Sequence, residues 1–428
     1  MAKSGSAADL GTVAEAYVRL VLAAGTHDPD FVDAYYGPVE WRAAVEAAAP
    51  PLGEIIEQAH ILIDQLSERV TEDGSELGRL RHAYLTKQLR ALVARLTIVQ
   101  GTKLRFDDEA RALYDVTPPT LSEDHFGEII ARLNAGLPGT GAVHERYVAY
   151  RNQFVIPPAN IDRVFAVAIA EGRARTSEHL ALPPDESFVV QYVTDKPWSG
   201  YNWYQGNYHS VIQVNTSLPI YIDRAVDLAC HEGYPGHHVY NALLERHLVR
   251  DRGWVEFSVY PLFSPQSLIA EGTANYGIDI AFPGLERVAY ERETLFPLAG
   301  LPADRADEYY RVQELVHELS YAGNEAARRY LNGEIDASGA ATWLQQYALM
   351  SPDAARQRVR FIDKYRSYVI NYNYGLDLVR SYVERAAGPN AAPAKRWEVF
   401  GALLSSPLLP SALREGSQGI DAPSPTVA

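Results

Sequence analysis

The chain has one cysteine, Cys230, in 428 residues, so no disulfide can form within it. Lying directly before His231, that thiol reads as a small buried core residue, not a nucleophile. Long apolar runs are also missing: no stretch reaches the roughly 20 apolar residues that span a bilayer. The opening Met-Ala-Lys-Ser-Gly-Ser lacks the apolar core of an export signal. Positive charge is scarce, with 39 Lys and Arg against 54 Asp and Glu, a net charge of -15 and a pI near 5.3. Such a chain offers no electrostatic footprint for nucleic acid or an anionic membrane, and a cytoplasmic location is expected. Oligomeric state is not legible. Tyrosine, by contrast, is abundant, 27 against 12 phenylalanines, which favours interiors and pockets with polar rims.

Periodicity predicts a mainly α protein with a small β-sheet, an α+β class built on a large helical scaffold. After a short polar leader, helical patterns run over 8–24, 52–66, 75–99 and from Ser122 to about Gly136, with Glu123 and Asp124 in the first turn of the last. These fall in an N-terminal helical region, 1–157. Residues 158–180 are helical again. Leu182-Pro183-Pro184-Asp185 then marks a switch to strand-like sequence at Phe188–Val193 and, after an aromatic stretch, Val211–Asn215. Ser267–Ala281 is a largely apolar helix. Ser351-Pro352-Asp353 starts a long helix that Gly388-Pro389 ends. A second region therefore covers 158–408, and 409–428 reads as a flexible tail.

The densest chemistry lies in residues 227–240, Asp-Leu-Ala-Cys-His-Glu-Gly-Tyr-Pro-Gly-His-His-Val-Tyr, where three of twelve histidines fall within eight residues beside a glutamate. A His-Glu pair leaving an amphipathic helix suggests metal chemistry, but the zincin spacing would put the second His at Pro235. The next candidates are His237 and His238. In an unbroken helix His238 returns to the face of His231 but about 10 Å along the axis, and His237 lands on another face. Pro235 and Gly236 should kink or bulge the helix, and a bulge could bring His237 close enough to share a metal with His231. Glu271 is the one acid in the first part of the apolar 267–281 helix, where a buried carboxylate needs a partner such as a cation.

His-Glu-x-x-Pro-Gly-His at 231–237, preceded by Asn215-Thr216 and followed by Glu271-Gly272, resembles the bacterial family called domain of unknown function 885. The likeness covers roughly 185–383. It implies a gluzincin-like metallopeptidase architecture with His231, His237 and Glu271 as metal ligands and Glu232 as general base. On that reading His238 supports a ligand, and one zinc is bound per chain. The segment Tyr372-Asn373-Tyr374-Gly375 resembles the family's Tyr-x-x-Gly, whereas the family's downstream histidine is displaced here to His317. Phe361, Tyr365, Tyr368 and Tyr372 form one aromatic face at spacings of four, three and four. Tyr368, Tyr372, Tyr374 or Arg360 could steady a developing oxyanion.

The expected function is thus a zinc-dependent, carboxypeptidase-like hydrolase that cleaves a peptide or small amide by metal-activated water. A di-iron carboxylate oxidase is an alternative, since Glu57-x-x-His60 and Glu314-x-x-His317 have helical-bundle ligand spacing, but it leaves the His231 cluster unexplained. A further alternative is a catalytically inactive helical binding protein in which the histidines form a packed hydrogen-bonded cluster.

Overall fold

The computed structural model describes residues 9–68, 75–196 and 198–414, and the chain adopts the expected mainly helical organisation with small sheets. Helices form where apolar residues recur at helical spacing. Leu10–His27 buries Val13, Ala14, Tyr17, Val18 and Val21 on one face, and Leu52–Ser67 packs against Glu76–Val99. The start signals act as capping predicts. Ser122 accepts a hydrogen bond from the backbone N–H of His125 at 3.3 Å, and Ser351 one from Ala354 at 3.3 Å.

Five strands are present among the described residues: β1 (Val32–Tyr35), β2 (Ser187–Val193), β3 (Gly200–Tyr204), β4 (His209–Asn215) and β5 (Val259–Pro261). The aromatic stretch between the two expected strands is itself β3, at one edge of a sheet ordered β2-β4-β3. β2 and β4 run parallel in register from Ser187↔His209 to Val193↔Asn215, and β3 pairs antiparallel with β4. The expectation named no β1 or β5. These short strands pair antiparallel with each other and bring the beginning of the chain to its middle.

Two further expectations are corrected. The long helix after Ser351 is two helices, Pro352–Tyr365 and Ile370–Ala387, joined by a single 3₁₀ turn. Arg366 at φ 53° breaks the run. The break is held by buried Glu109, which accepts from Ser367 N at 3.1 Å, Ser367 Oγ at 2.6 Å and Arg366 Nε at 2.6 Å. The tail begins later than expected, since Pro410–Arg414 is a short helix with Leu413 fully buried; positions 415–428, like the leader at 1–8, lie outside the described residues.

One contiguous apolar core runs from Val13 to Leu413. Polar links also join the expected first and second regions. Arg81 pairs with buried Glu256, and the Tyr84 hydroxyl donates to Gln266 at 2.7 Å. At the centre, the Pro265–Ala281 helix packs on Ile370–Ala387. A Cβ on Gly272 would lie 2.5 Å from the carbonyl oxygen of Gly375, so both helices need glycine at the crossing. That approach sets Glu271 beside Tyr368. No helix among the described residues is long and apolar enough to cross a membrane.

Candidate metal centre

The His-Glu stretch departs from a regular helix in the way its sequence predicts. Asp223–Leu228 is α-helical, Ala229–Gly233 forms a π-helical turn, Tyr234 is extended, and a new helix begins at His237. The Tyr234–Pro235 peptide is cis. Gly236 donates from its N–H to the Cys230 carbonyl at 2.8 Å. A Cβ there would fall 1.9 Å from the His231 carbonyl oxygen, so only glycine lets the chain fold back this tightly. The doubling back sets the imidazoles of His231 and His237 edge to face, with centroids 4.7 Å apart.

Glu271 completes the group from the central helix. Its Oε2 lies 3.3 Å from His231 Nε2 and 3.7 Å from His237 Nε2, and one ligand atom from each residue falls within 4.8 Å of the other two. No other such group occurs among the described residues. Glu271 is 6% exposed. Its Oε1 accepts from the Tyr368 hydroxyl at 2.8 Å, while Oε2 is buried without a hydrogen-bond partner. Burial alone would raise this carboxyl, but His231 and His237 outweigh it and hold the group well below the usual carboxylate range.

Asn275, one turn after Glu271, fixes the orientation of His231. Its Nδ2 donates to the Tyr372 carbonyl at 2.9 Å, so its Oδ1 faces His231 Nδ1 at 3.1 Å and accepts from it. In the neutral imidazole Nε2 then carries the lone pair, and that lone pair faces a carboxylate oxygen. Two acceptors in a buried site repel unless a proton or a cation lies between them. The donor set, two imidazoles and one carboxylate, suits a borderline-soft divalent metal, and the Asn275 contact is the kind of support that orients a ligating histidine.

Glu232 lies beside this group, 4% exposed. Burial pushes its carboxyl up to about 7, with Glu271 and Asp33 adding to the rise and His237 and Arg224 opposing it. The backbone of β3 forms the wall against it. A Cβ on Gly200 would come 2.8 Å from Glu232 Oε1, and Asn202 Nδ2 donates to the Glu232 carbonyl at 2.7 Å.

The remaining expected residues divide. His238 does not join the metal group: its Nε2 meets Glu186 Oε2 at 2.9 Å and its Nδ1 meets Ser210 Oγ at 2.9 Å. Arg173 and Tyr234 also bond Glu186, so His238 ties the helix to the sheet instead of facing His231. The Tyr368 hydroxyl is occupied by Glu271. Tyr372 is electrostatically coupled to both Glu271 and Glu232. Tyr374, two positions on and so on the opposite helix face, is acted on by Arg414 and Asp377. Arg360 is exposed. Glu57, His60, Glu314 and His317 are all exposed too, which removes the bundle-type di-iron pairs from any buried site.

Besides Asn275, two more residues that the sequence reading missed stand near the group. Asp33 in β1 accepts from the Tyr201 hydroxyl. Its carboxyl is pushed up to about 6 by burial, against the Tyr201 bond and His237, and Glu271 raises it further. No local signal marks Asp33, which is almost two hundred positions from the motif. Arg358 faces Tyr372, its guanidinium carbon 5.9 Å from that ring. It shares the helix face of Phe361 and Tyr365, a spacing that could have found it.

No family model matches the sequence, and no curated protein does. Among solved structures, a protein of Colwellia psychrerythraea described as a "putative lipoprotein" matches with a TM-score of 0.51 and 16% identity over 85% of this chain and 68% of its own. That likeness is one of fold. The M32 carboxypeptidase of Deinococcus radiodurans R1 matches over 97% of this chain and 94% of its own, at 14% identity and a TM-score of 0.39, too low to carry an argument.

Proposed function

We propose that the protein is a zinc-dependent hydrolase of amide bonds in peptides or small amides, with His231, His237 and Glu271 holding one metal ion per chain. The observation that carries this reading is the buried confrontation of His231 Nε2 with Glu271 Oε2 at 3.3 Å beside His237, which a cation held by all three would reconcile. A bound zinc ion would supply Lewis acidity to a scissile carbonyl and to an attacking water. The chain's own residues account for the rest. Glu232 lies beside the three ligands without being needed as a fourth, and a carboxyl buried there is suited to take a proton from water and return it to the leaving amine. Tyr372 is half-buried, and no described residue hydrogen-bonds its hydroxyl, so that hydroxyl is available to an oxyanion. Asn275 and Tyr368 position His231 and Glu271. A cytoplasmic location belongs to the same reading.

The test is metal analysis of purified protein with anomalous scattering at the zinc edge. One zinc per chain, centred among His231, His237 and Glu271, is expected. Protein that stays metal-free after growth in added zinc overturns the reading.

A further inference from the structure

Arg358 is a half-buried cation without an anion. Its Nε is buried with no hydrogen-bond partner, and none of the described Asp or Glu residues forms an ion pair with it. Arg396 likewise has a buried Nε without a partner, but most arginines of the interior meet a carboxylate. Arg95 meets Asp28, Arg151 meets Asp223, Arg287 meets Asp227 and Glu291, and Arg366 meets Glu109. What surrounds Arg358 is aromatic: its guanidinium carbon lies 4.6 Å from the Phe361 ring and 5.9 Å from that of Tyr372. A guanidinium left unpaired in such a place is costly to the free protein unless something else brings the countercharge.

Its position says what that would be. Tyr372 is near both charges: the Arg358 guanidinium lies 5.9 Å from its ring, and Glu271 and Glu232 also act on its hydroxyl. The Tyr372 ring lies 5.8 Å from that of Tyr368, whose hydroxyl bonds Glu271. Arg358 is thus linked to the metal group through two tyrosines, Tyr372 and Tyr368. The planar fork of an arginine matches a carboxylate bidentately, and a flat aromatic wall keeps water from that pair.

We propose that Arg358 is the docking residue for a carboxylate carried by the substrate, placed so that the bond to be cleaved falls at the His231–His237–Glu271 group. This rests on the hydrolase reading for the position of the scissile bond, but the carboxylate site itself does not require turnover. Arg358 is a specificity-determining residue.

The test uses zinc-loaded full-length protein carrying Glu232→Gln, so that probes bind without being consumed. Calorimetry compares three probes: N-benzoylglycyl-phenylalanine with a free carboxylate, its carboxamide, and a carboxamide in which glutamate replaces phenylalanine. The free acid should bind about 30-fold or more tighter than its amide, the size expected for a desolvated charge pair. Adding Arg358→Met should bring the ratio to about one, and Arg358→Lys should restore part of it. Recovery of affinity in the glutamyl carboxamide would place the preferred carboxylate on a side chain; its absence would place it at the chain terminus. An acid-to-amide ratio unchanged by Arg358→Met, or no binding of either acid at millimolar concentration, overturns the proposal. Acid preference that depends on Arg358 in a protein whose parent hydrolyses none of the probes would sustain the carboxylate site and count against the hydrolase reading alone.

Discussion

Replacing Glu271 with Gln should change stability in opposite directions with and without metal. In metal-free wild type, buried Oε2 has no donor and faces the Nε2 atoms of His231 and His237 at 3.3 and 3.7 Å. The Tyr368 hydroxyl at Oε1 would fix the amide oxygen of a glutamine and turn its NH₂ toward those imidazoles, where it can donate. An uncompensated buried charge costs about 3–5 kcal/mol. Tyr368 already offsets part of that, so the metal-free variant should be more stable than metal-free wild type by about 2 kcal/mol. With zinc the order should reverse. Groups that touch only a ligand already change affinity about 10- to 100-fold, and losing the ligand itself should cost about a thousandfold, or about 4 kcal/mol at saturating metal. In a chain of this length, 1 kcal/mol moves the melting temperature by about 1–2 °C. Thermal melts of both proteins at about pH 8.5, above the ordinary histidine range, with chelator and with excess zinc, should therefore cross by about 2–4 °C each way. Parallel shifts in the two conditions would refute the assignment of Glu271 to the metal.

Glu232→Gln should abolish hydrolysis while zinc occupancy stays near normal, whereas His231→Ala should lose both; loss of zinc in Glu232→Gln, with activity restored by excess metal, would make Glu232 a ligand. Gly236→Ala should destabilise by about 3 kcal/mol and empty the metal site, because its Cβ would collide with the His231 carbonyl at 1.9 Å; denaturant titration and metal analysis check this. Glu186→Gln should cost about 2–3 kcal/mol at neutral pH by weakening the bonds to His238, Tyr234 and Arg173. Burial would raise the Glu186 carboxyl, but those three partners outweigh it and lower it from 4.5. Its contribution is therefore complete above about pH 4.5 and is lost as pH falls through the folded value. The stability gap between wild type and Glu186→Gln should close below pH 4.5, and a gap that persists there would show that ionisation of Glu186 is not its source.

What the sequence made legible was local. His231, Glu232, Pro235, Gly236 and His237 lie within seven positions, and proline and glycine act on the backbone wherever they occur, so a break there follows from the residues alone. Glu271 was legible for a different reason: an acid in an apolar helix carries its own energetic question. His238 was the misjudged neighbour. Helical phase places it apart from His237, but only the packed sheet supplies the Ser210 and Glu186 that occupy its nitrogens.

The parts that stayed hidden depend on partners far away in the chain. The long helix after Ser351 looks continuous because each residue from 352 to 387 tolerates helix; it is Glu109, some 257 positions earlier, that draws Arg366 and Ser367 out of register. That break also explains how the aromatic stripe reaches the metal group. Phe361 and Tyr365 sit on one helix and Tyr372 on the next, yet their rings stay in sequence at 4.6, 6.1 and 5.8 Å through Tyr368. A stripe bent in this way presents Tyr368 to Glu271 while Phe361 and Tyr372 pack against Arg358. Arg358 lies three residues before Phe361 and on the face of the stripe, whereas Arg360 lies about 100° from Phe361 and is exposed.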